Sequence, residues 1–180
     1  RPEDEIVVLY DINKGHEGIE QFLRAKSVNK GLAWMYGAFK GHFANWKNKL
    51  NSFCTGDYIF QIDADELPPK YLVENLWAIL EMNKTVDVYR VPRINTVKDL
   101  TQEHIQKWGW RVDDKERVNF PDYQWRIYRN DPNIKWVNKV HEVLTGFEVM
   151  SNLPPEEEYC LLHEKTIERQ EKQNNYYNTL

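Results

Sequence analysis

The stretch Gly56–Pro69 reads GDYIFQIDADELPP and decides how the rest of the chain is interpreted. Its apolar run, YIFQI, is typical of a buried strand, and three acids follow it: Asp63, Asp65 and Glu66. In an open α/β sheet, ligands bind beyond the carboxyl ends of the strands. Because side chains two residues apart share a face of an extended chain, Asp63 and Asp65 can present oxygen atoms to one divalent cation. The alternative is that the acids cap the next helix, a role that suits Glu66.

Acids at this density repel one another unless a counter-charge is close. We therefore expect a cation or a basic side chain beside the cluster. Carboxylates that act together with substrate phosphates are the ligands that Mg²⁺ or Mn²⁺ prefers. The cluster therefore predicts a site for Mn²⁺ or Mg²⁺ at the end of this strand.

Length and composition restrict the class of protein. The chain has 180 residues, of which 41% are hydrophobic and 13% aromatic, and we expect one folded domain over residues 1–180. The net charge of −4, with both signs interspersed, argues against nucleic-acid binding through a basic surface. No apolar run approaches the roughly 20 residues that a membrane span needs. Two distant cysteines, Cys54 and Cys160, and the absence of a visible signal peptide favour a cytoplasmic protein with reduced thiols.

Apolar runs and helical spacings alternate along the first half of the chain. Strands are predicted at Glu5–Asp11, 57–62 and 86–93, and helices at 18–26, at 42–54 with its end near Gly56, and after Pro69. Residues 94–120 have weak periodicity and are interpreted as a long excursion. Further strands are predicted at 123–129, within 134–144 and at 159–163, before a polar helix. This order predicts an α/β fold with a mixed sheet flanked by helices.

The segment HFANWKNKLNSFCTGDYIFQIDADE, residues 42–66, resembles the core of family 2 glycosyltransferases. These enzymes have the Rossmann-like GT-A fold, and small bacterial and phage sugar transferases among them carry an Asp-x-Asp-Glu motif. The family pattern is a Phe-Ala-x-x-Arg-Asn-x-x-Leu helix, then Gly-Asp, an apolar strand and Asp-x-Asp-Glu. The matching residues here are Phe43, Ala44, Lys47, Asn48, Leu50, Gly56, Asp57, Asp63, Asp65 and Glu66. Lys47 stands where the family often has arginine, so the charge is kept without the planar fork.

The resemblance continues downstream, in QWRIYRNDPNIKWVNKVHEVLTG, residues 124–146. This segment is similar to the family's Arg-Leu-Phe-Arg-Asn and Tyr-x-Gly-x-Val-His-Glu segments. The matching residues are Arg126, Tyr128, Arg129, Asn130, Val140, His141 and Glu142, and Asn138 replaces the usual glycine. Residues 161–180 resemble the closing strand, histidine and helix of the family, with His163 as the histidine.

The resemblance implies a donor site for a nucleotide-diphosphate sugar, with a UDP-sugar as the leading candidate. It implies a metal ligated by Asp65 and His163, with Asp63 taking part through water or the ribose. The metal would bridge the two phosphates, and Lys47 would add a second positive charge. Asp11, at the end of the first predicted strand, matches the family acid that contacts the nucleobase.

The resemblance also implies an inverting transfer in which one carboxylate takes the proton from the acceptor hydroxyl. Glu142 is the candidate base, and His141 beside it is expected to contact a phosphate or a sugar hydroxyl. Asp122 is a weaker candidate for the base. The acceptor, a glycan, lipid or protein, is expected to contact residues 94–122. His16, His42 and His104 show no partner in the sequence and are expected at the surface.

The family domain opens with a strand and a helix before the strand that EIVVLYD, residues 5–11, resembles. We therefore expect this chain to lack or shorten that first unit. An unpaired sheet edge would result, and such an edge favours self-association into a homo-oligomer.

Two other functions fit the acidic strand end. A Mg²⁺-dependent nucleotidyl or phosphoryl transferase would use the same acids, but the glycine-rich phosphate loops G-x-x-x-x-G-K-[ST] and G-x-G-x-x-G do not occur in the sequence. A non-catalytic nucleotide- or sugar-binding remnant of the same fold is the second alternative. Metal-dependent turnover of a UDP-sugar would distinguish the leading interpretation from the remnant.

Overall fold

A computed structural model describes residues 3–28, 31–177 and 179. The elements in chain order are β1 Ile6–Asp11, α1 Glu17–Lys26, β2 Leu32–Gly37, α2 Phe43–Asn51, β3 Tyr58–Phe60, α3 Lys70–Met82, β4 Val88–Lys98, α4 Gln102–Trp108, β5 Asp122–Arg129, β6 Lys135–Val137, β7 Val143–Thr145, β8 Met150–Asn152, a 3₁₀ turn at Glu157–Tyr159, β9 Leu161–Thr166 and α5 Ile167–Tyr177. The order of strands and helices and the mixed sheet confirm the α/β prediction and are consistent with a GT-A-like fold.

The chain divides into two compact units. The first unit comprises Arg1–Ile59 and Asn130–Gly146, and the second comprises Phe60–Arg129 and Phe147–Leu180. Each unit is described separately below, and a single domain over residues 1–180 stays a prediction.

The first unit contains a parallel pair of strands. β1 and β2 run in register from Ile6 opposite Leu32 to Asp11 opposite Gly37. Gly37 is required there because a Cβ atom at this position would lie 2.7 Å from the ring of Trp46 on α2. Within the described ranges, β1 pairs with β2 alone. Self-association through the other edge of β1 stays a prediction.

Helix α2 is joined to the strand β6 by one asparagine. Asn48 Nδ2 donates to the carbonyl oxygen of Trp136 at 2.8 Å, and its Oδ1 accepts from the Trp136 backbone N–H at 3.0 Å. The backbone N–H of Phe43, at the start of α2, donates to the Lys139 carbonyl at 2.9 Å. These bonds hold the loop after β6 against the first turn of α2. The asparagine of the family's helix pattern therefore has a structural role in this chain.

The second unit is built around the eleven-residue strand β4. β5 pairs with it in the antiparallel direction, and β8 and β9 pair with it in the parallel direction along its other edge. β8 pairs with Val88–Arg90 and β9 with Arg93–Lys98. Pro92 falls between these two pairings, where no N–H donor is needed on that edge, so a proline is tolerated in a central strand.

One face of this sheet changes from apolar to polar along its strands. Tyr89 and Val91 of β4, Ile127 of β5, Leu161 of β9 and Leu72 of α3 form its buried apolar part, together with Leu153. Further along, Arg93 and Asn95 follow Val91 at alternate positions and therefore lie on the same face. In β9, His163 and Lys165 follow Leu161 in the same way. One end of this sheet face is therefore part of the apolar core, and its other end carries polar side chains.

Some sequence-based boundaries differ from the structure. α2 ends at Asn51 with Ser52 as its C-cap, so Gly56 does not terminate it. The strand before the acidic cluster has only three residues, Tyr58–Phe60. The region interpreted as a long excursion contains the second half of β4 and the short helix α4. No helix in the described part of the chain has both the length and the apolar character that crossing a membrane requires.

Candidate functional site

The acidic loop after β3 is held beside strand β9 by a pair of backbone hydrogen bonds. The N–H of Leu67 donates to the carbonyl of Leu162, and the N–H of Leu162 donates to the carbonyl of Leu67, both at 2.9 Å. This bridge places Asp65 next to His163, with Oδ2 and Nε2 3.4 Å apart. The His163 side chain is only 6% exposed, and that of Asp65 is 22% exposed. Two residues far apart in the sequence thus form one polar pair.

The surroundings of Asp65 are positively charged. Arg169, in the first turn of α5, approaches the same Oδ2 atom with Nη2 at 3.0 Å. The hydrogen bond from His163, and then the charges of His163, Lys165 and Arg169, lower the pKa of Asp65 far below its ordinary value, although burial opposes the shift. Burial lowers the pKa of Lys165. The pair therefore lies in a setting that stabilises the Asp65 carboxylate.

The other ring nitrogen of His163 has its own partner. Asn95 lies directly opposite His163 in the parallel pairing of β4 with β9. Its Oδ1 atom is 2.6 Å from His163 Nδ1, and its Nδ2 donates to Asp122 Oδ2 at 2.8 Å. The imidazole is therefore held between Asn95 on one side and Asp65 on the other.

The other two acids of the cluster are bound to arginines. Asp63 Oδ2 lies 2.6 Å from Arg126 Nη2. Glu66, whose side chain is fully buried, accepts from Arg126 Nε at 2.8 Å and Nη2 at 2.7 Å, and from Arg93 Nη1 at 2.8 Å. The basic partners expected for the cluster are thus Arg126, Arg93 and, for Asp65, Arg169. The expectation that Glu66 caps the next helix is wrong, because that carboxylate is turned into the protein interior.

Removing the Glu66 carboxylate should destabilise the chain strongly. The variant Glu66→Ala leaves two arginines without their shared partner, and breaking a buried ion pair in this way costs about 3–5 kcal/mol of unfolding free energy. Urea unfolding followed by circular dichroism measures the loss. The matched control is Glu74→Ala, which removes an exposed pair with Lys70 and should change stability by less than about 1 kcal/mol. Equal stability of the two variants would refute the structural role of Glu66.

The Asp65 carboxylate and the His163 imidazole are suitable ligands for a divalent metal, but this pair supplies only two protein ligands. Carboxylate oxygens suit both Mn²⁺ and Mg²⁺, Mg²⁺ is usually bound by one or two carboxylates with substrate phosphates, and an imidazole nitrogen is a common ligand of other divalent first-row metals. Among the residues that the structure describes, no group of three or more His, Cys, Asp or Glu side chains could hold a metal ion. Asp63 is turned to Arg126 and does not complete such a group.

The carboxylate of Asp122, the weaker candidate for the base, already accepts several hydrogen bonds. Its carboxylate accepts from Arg93 Nε and Nη2, from Asn95 Nδ2 and from Gln124 Nε2 at 2.7–3.0 Å. Burial raises its pKa, but the charge of Arg93 and these hydrogen bonds outweigh burial and lower the pKa. A carboxylate with its lone pairs engaged and a lowered pKa is a poor proton acceptor.

In the first unit, Lys47 and Glu142 form an ion pair. Lys47 Nζ lies 2.6 Å from Glu142 Oε1, and the two side chains are 7% and 16% exposed. The same ammonium group lies 4.3 Å from the ring centroid of Trp136. Lys47 therefore holds the Glu142 carboxylate, which is a different contact from the diphosphate contact that the sequence suggested.

The loop that carries Glu142 needs unusual backbone angles. Asn138 has φ +76° and His141 has φ +53°, both in the left-handed region. Asparagine tolerates this region better than most residues with a Cβ atom. Asn138 can therefore adopt the backbone that glycine supplies at this position in the family. The side chain of His141 is exposed beside Glu142.

The effect of a substitution at Asn138 on stability should depend on how readily the new residue adopts a positive φ. Asn138→Gly should leave the unfolding free energy within a few tenths of a kcal/mol, since glycine adopts positive φ readily. Asn138→Val should cost at least about 1–2 kcal/mol, because a β-branched residue is strained in this region. Thermal unfolding of both variants beside the wild type measures the difference. A stable valine variant would show that this backbone conformation is wrong.

Asp11 lies at the carboxyl end of β1 and organises the turns there. Its Oδ1 accepts from the backbone N–H groups of Phe39 at 3.0 Å and Asn13 at 3.1 Å. It thereby ties the turn after β1 to the turn after β2.

The polar side chains that connect the site residues were not predicted from the sequence. Arg93 is the last residue of the strand predicted at 86–93, whereas Asn95 lies in the region that was interpreted as an excursion, and β4 contains both. Three histidines expected at the surface have a helix-end role. His16 and His42 accept from backbone N–H groups at the starts of α1 and α2, and His104 forms a capping box with Thr101.

The mixed α/β fold, with an acidic loop and a histidine at its strand ends, is consistent with a GT-A-like fold. The sequence profile described as Glycosyl transferase family 2 matches residues 23–143. This match covers more than half of the chain, and the chain belongs to that family. It includes the acidic loop and the Lys47–Glu142 pair, whereas Asp11 and His163 lie outside it. A search of curated proteins found no significant match. Membership supports glycosyltransferase activity and implies a nucleotide-sugar donor and an acceptor.

Proposed function

We propose that this chain is a metal-dependent, inverting glycosyltransferase that transfers a hexose-type sugar from a UDP-sugar to a hydroxyl group of an acceptor. The observation that carries the proposal is the approach of His163 Nε2 to Asp65 Oδ2 at 3.4 Å in a buried, hydrogen-bonded setting. Family membership supports the activity, and this pair supports its dependence on a metal.

Asp65 and His163 would hold Mn²⁺ or Mg²⁺. When bound, such an ion offsets the negative charge that grows on the departing diphosphate. Arg169 would add a positive charge of the protein, because its guanidinium lies at the same Asp65 oxygen and its side chain is 59% exposed. Asp63, fixed by Arg126, would accept a hydrogen bond from the ribose.

Glu142 would act as the general base. Its carboxylate takes the proton of the acceptor hydroxyl while the hydroxyl oxygen forms a bond to the anomeric carbon. The bond between that carbon and the phosphate oxygen breaks at the same time, and UDP leaves with the electron pair. One displacement of this kind inverts the anomeric centre. Lys47 keeps the carboxylate in place through the 2.6 Å ion pair.

Two further residues complete the proposed roles. Asp11 would contact the nucleobase from the carboxyl end of β1, as the family resemblance suggests. His141 would donate to a phosphate or sugar hydroxyl, and its exposed position beside Glu142 supports this role.

Release of UDP from a panel of UDP-sugars, with and without Mn²⁺, tests the proposal. We expect slow metal-dependent hydrolysis with one donor, even without the acceptor, and the products should be UDP and the free sugar. Release of UMP instead would support a phosphoryl or nucleotidyl transferase. Binding of UDP and Mn²⁺ without turnover of any donor or acceptor tested would support the non-catalytic alternative.

A further inference from the structure

The partners of Asn95 determine which nitrogen of His163 carries a proton. Asn95 Nδ2 lies 2.8 Å from Asp122 Oδ2, and a carboxylate oxygen only accepts hydrogen bonds. The NH₂ end of the Asn95 amide must therefore face Asp122. Its carbonyl oxygen then faces the imidazole, 2.6 Å from Nδ1. A carbonyl oxygen at that distance requires an N–H group on Nδ1.

The direction of this chain of hydrogen bonds is fixed at its far end by Arg93. The guanidinium of Arg93 donates to Asp122 Oδ2 from Nη2 at 2.7 Å and from Nε at 3.0 Å. Arginine has no acceptor atom, so Asp122 must accept from it. Arg93 and Asp122 lie opposite each other between β4 and β5, as Asn95 and His163 do between β4 and β9. The strand register itself therefore sets the proton arrangement.

We propose that Asn95 is a positioning residue that holds a proton on Nδ1 of His163 and so reserves Nε2, the nitrogen facing Asp65, as the ring atom that can offer a lone pair. The consequence for metal binding rests on the proposed function. An imidazole nitrogen can ligate a metal only through a lone pair, and the hydrogen bond at the other nitrogen decides which one has it. Asn95, held by Asp122, thus makes Nε2 the ligating atom of His163.

The ¹⁵N chemical shifts of the imidazole test the assignment directly. Long-range ¹H–¹⁵N spectra of protein labelled at histidine distinguish a protonated from an unprotonated ring nitrogen. The His163 signals are identified by their loss in His163→Gln. We expect a proton on Nδ1 in the wild type, and an Nδ1 without a proton would overturn the proposal. The wild-type spectrum decides this point, and the His163→Gln variant serves only to assign the signals.

The variant Asn95→Leu should move the proton. Leucine offers no acceptor to Nδ1, so the more stable tautomer of the variant has its proton on Nε2, where the N–H can donate a hydrogen bond to the Asp65 carboxylate. The control Asn152→Leu removes an asparagine that bonds Arg90 in the same sheet and should leave the His163 tautomer unchanged. An unchanged tautomer in Asn95→Leu would overturn the role of Asn95.

Mn²⁺ affinity, measured by the electron paramagnetic resonance signal of the free ion, gives a readout separate from activity. Asn95→Leu should bind Mn²⁺ about 10–100-fold more weakly, which is the usual effect of losing the partner of a ligating histidine. Asn95→Asp, which keeps an oxygen facing Nδ1, should recover part of the affinity. Wild-type affinity in Asn95→Leu would overturn the positioning role. If the tautomer moves as expected but the wild type binds no Mn²⁺, the metal in the proposed function is wrong and the assignment of the proton stands.

Discussion

Replacing Asp65 with alanine should abolish the thermal stabilisation that UDP and Mn²⁺ give the wild-type chain. A ligand present at about 100 times its dissociation constant stabilises a protein by about 2.7 kcal/mol. For a chain of this size, that corresponds to a rise in melting temperature of roughly 5–10 °C. Asp65→Ala removes the carboxylate that His163 and Arg169 both approach. We therefore expect no shift above the error of the measurement, and no detectable transfer.

The comparison is made between the presence and absence of ligand, because the variant also loses an ion pair and its own stability changes. Glu168→Ala is the matched control, since Glu168 lies on α5 and pairs only with Lys172 among the contacts described for it. That control should keep the full shift. An equal shift in Asp65→Ala and the wild type would exclude Asp65 from the donor site.

Glu142→Gln should lower the rate of sugar transfer by about 10²–10⁴-fold, the usual contribution of a general base. Glutamine keeps an oxygen that can accept from Lys47 Nζ, so the 2.6 Å contact and the loop are retained. It cannot take the proton of the acceptor hydroxyl. We therefore expect the affinity for UDP and Mn²⁺ to stay within a few-fold of the wild type. Steady-state transfer assays and calorimetric titration with UDP measure the two effects.

The control for Glu142→Gln is Glu148→Gln, which changes an exposed glutamate nearby in the sequence and should leave both quantities unchanged. Loss of UDP binding in Glu142→Gln would mean that Glu142 is a binding residue and that the base is another group. Wild-type transfer rates would exclude it as a base altogether.

The elements that carry these residues could largely be predicted from local patterns. The apolar run before Asp63 indicated a strand, and the spacing of residues 70–82 together with Pro69 indicated a helix. The family resemblance suggested that Asp65 and His163 act together, and their side chains lie 3.4 Å apart. Secondary-structure patterns and family motifs can both be recognised within short segments of sequence, which is why these features could be predicted.

Partnerships between strands could not be predicted in the same way. Asn95 opposes His163, and Arg93 opposes Asp122, only because β9 and β5 pair with β4 in one particular register. No short turn joins β4 to β5 or to β9, so their register is decided by packing over the whole sheet. The burial of Glu66 was missed for the same reason, since its partners Arg93 and Arg126 come from β4 and β5.

The capping role of the histidines at the starts of α1 and α2 could not be predicted for a different reason. The usual N-cap residues are Ser, Thr, Asp and Asn, so His16 and His42 gave no capping signal. Their ring nitrogens nevertheless accept from Gly18 N–H at 3.1 Å and Asn45 N–H at 3.3 Å.

The most direct measurement of the central claim is a crystal structure of the chain with UDP and Mn²⁺, with the metal located by its anomalous scattering. We expect one strong Mn²⁺ peak bound by Asp65 and His163 Nε2, with diphosphate oxygens among its other ligands. A Mn²⁺ ion bound to the diphosphate but away from both side chains would contradict it.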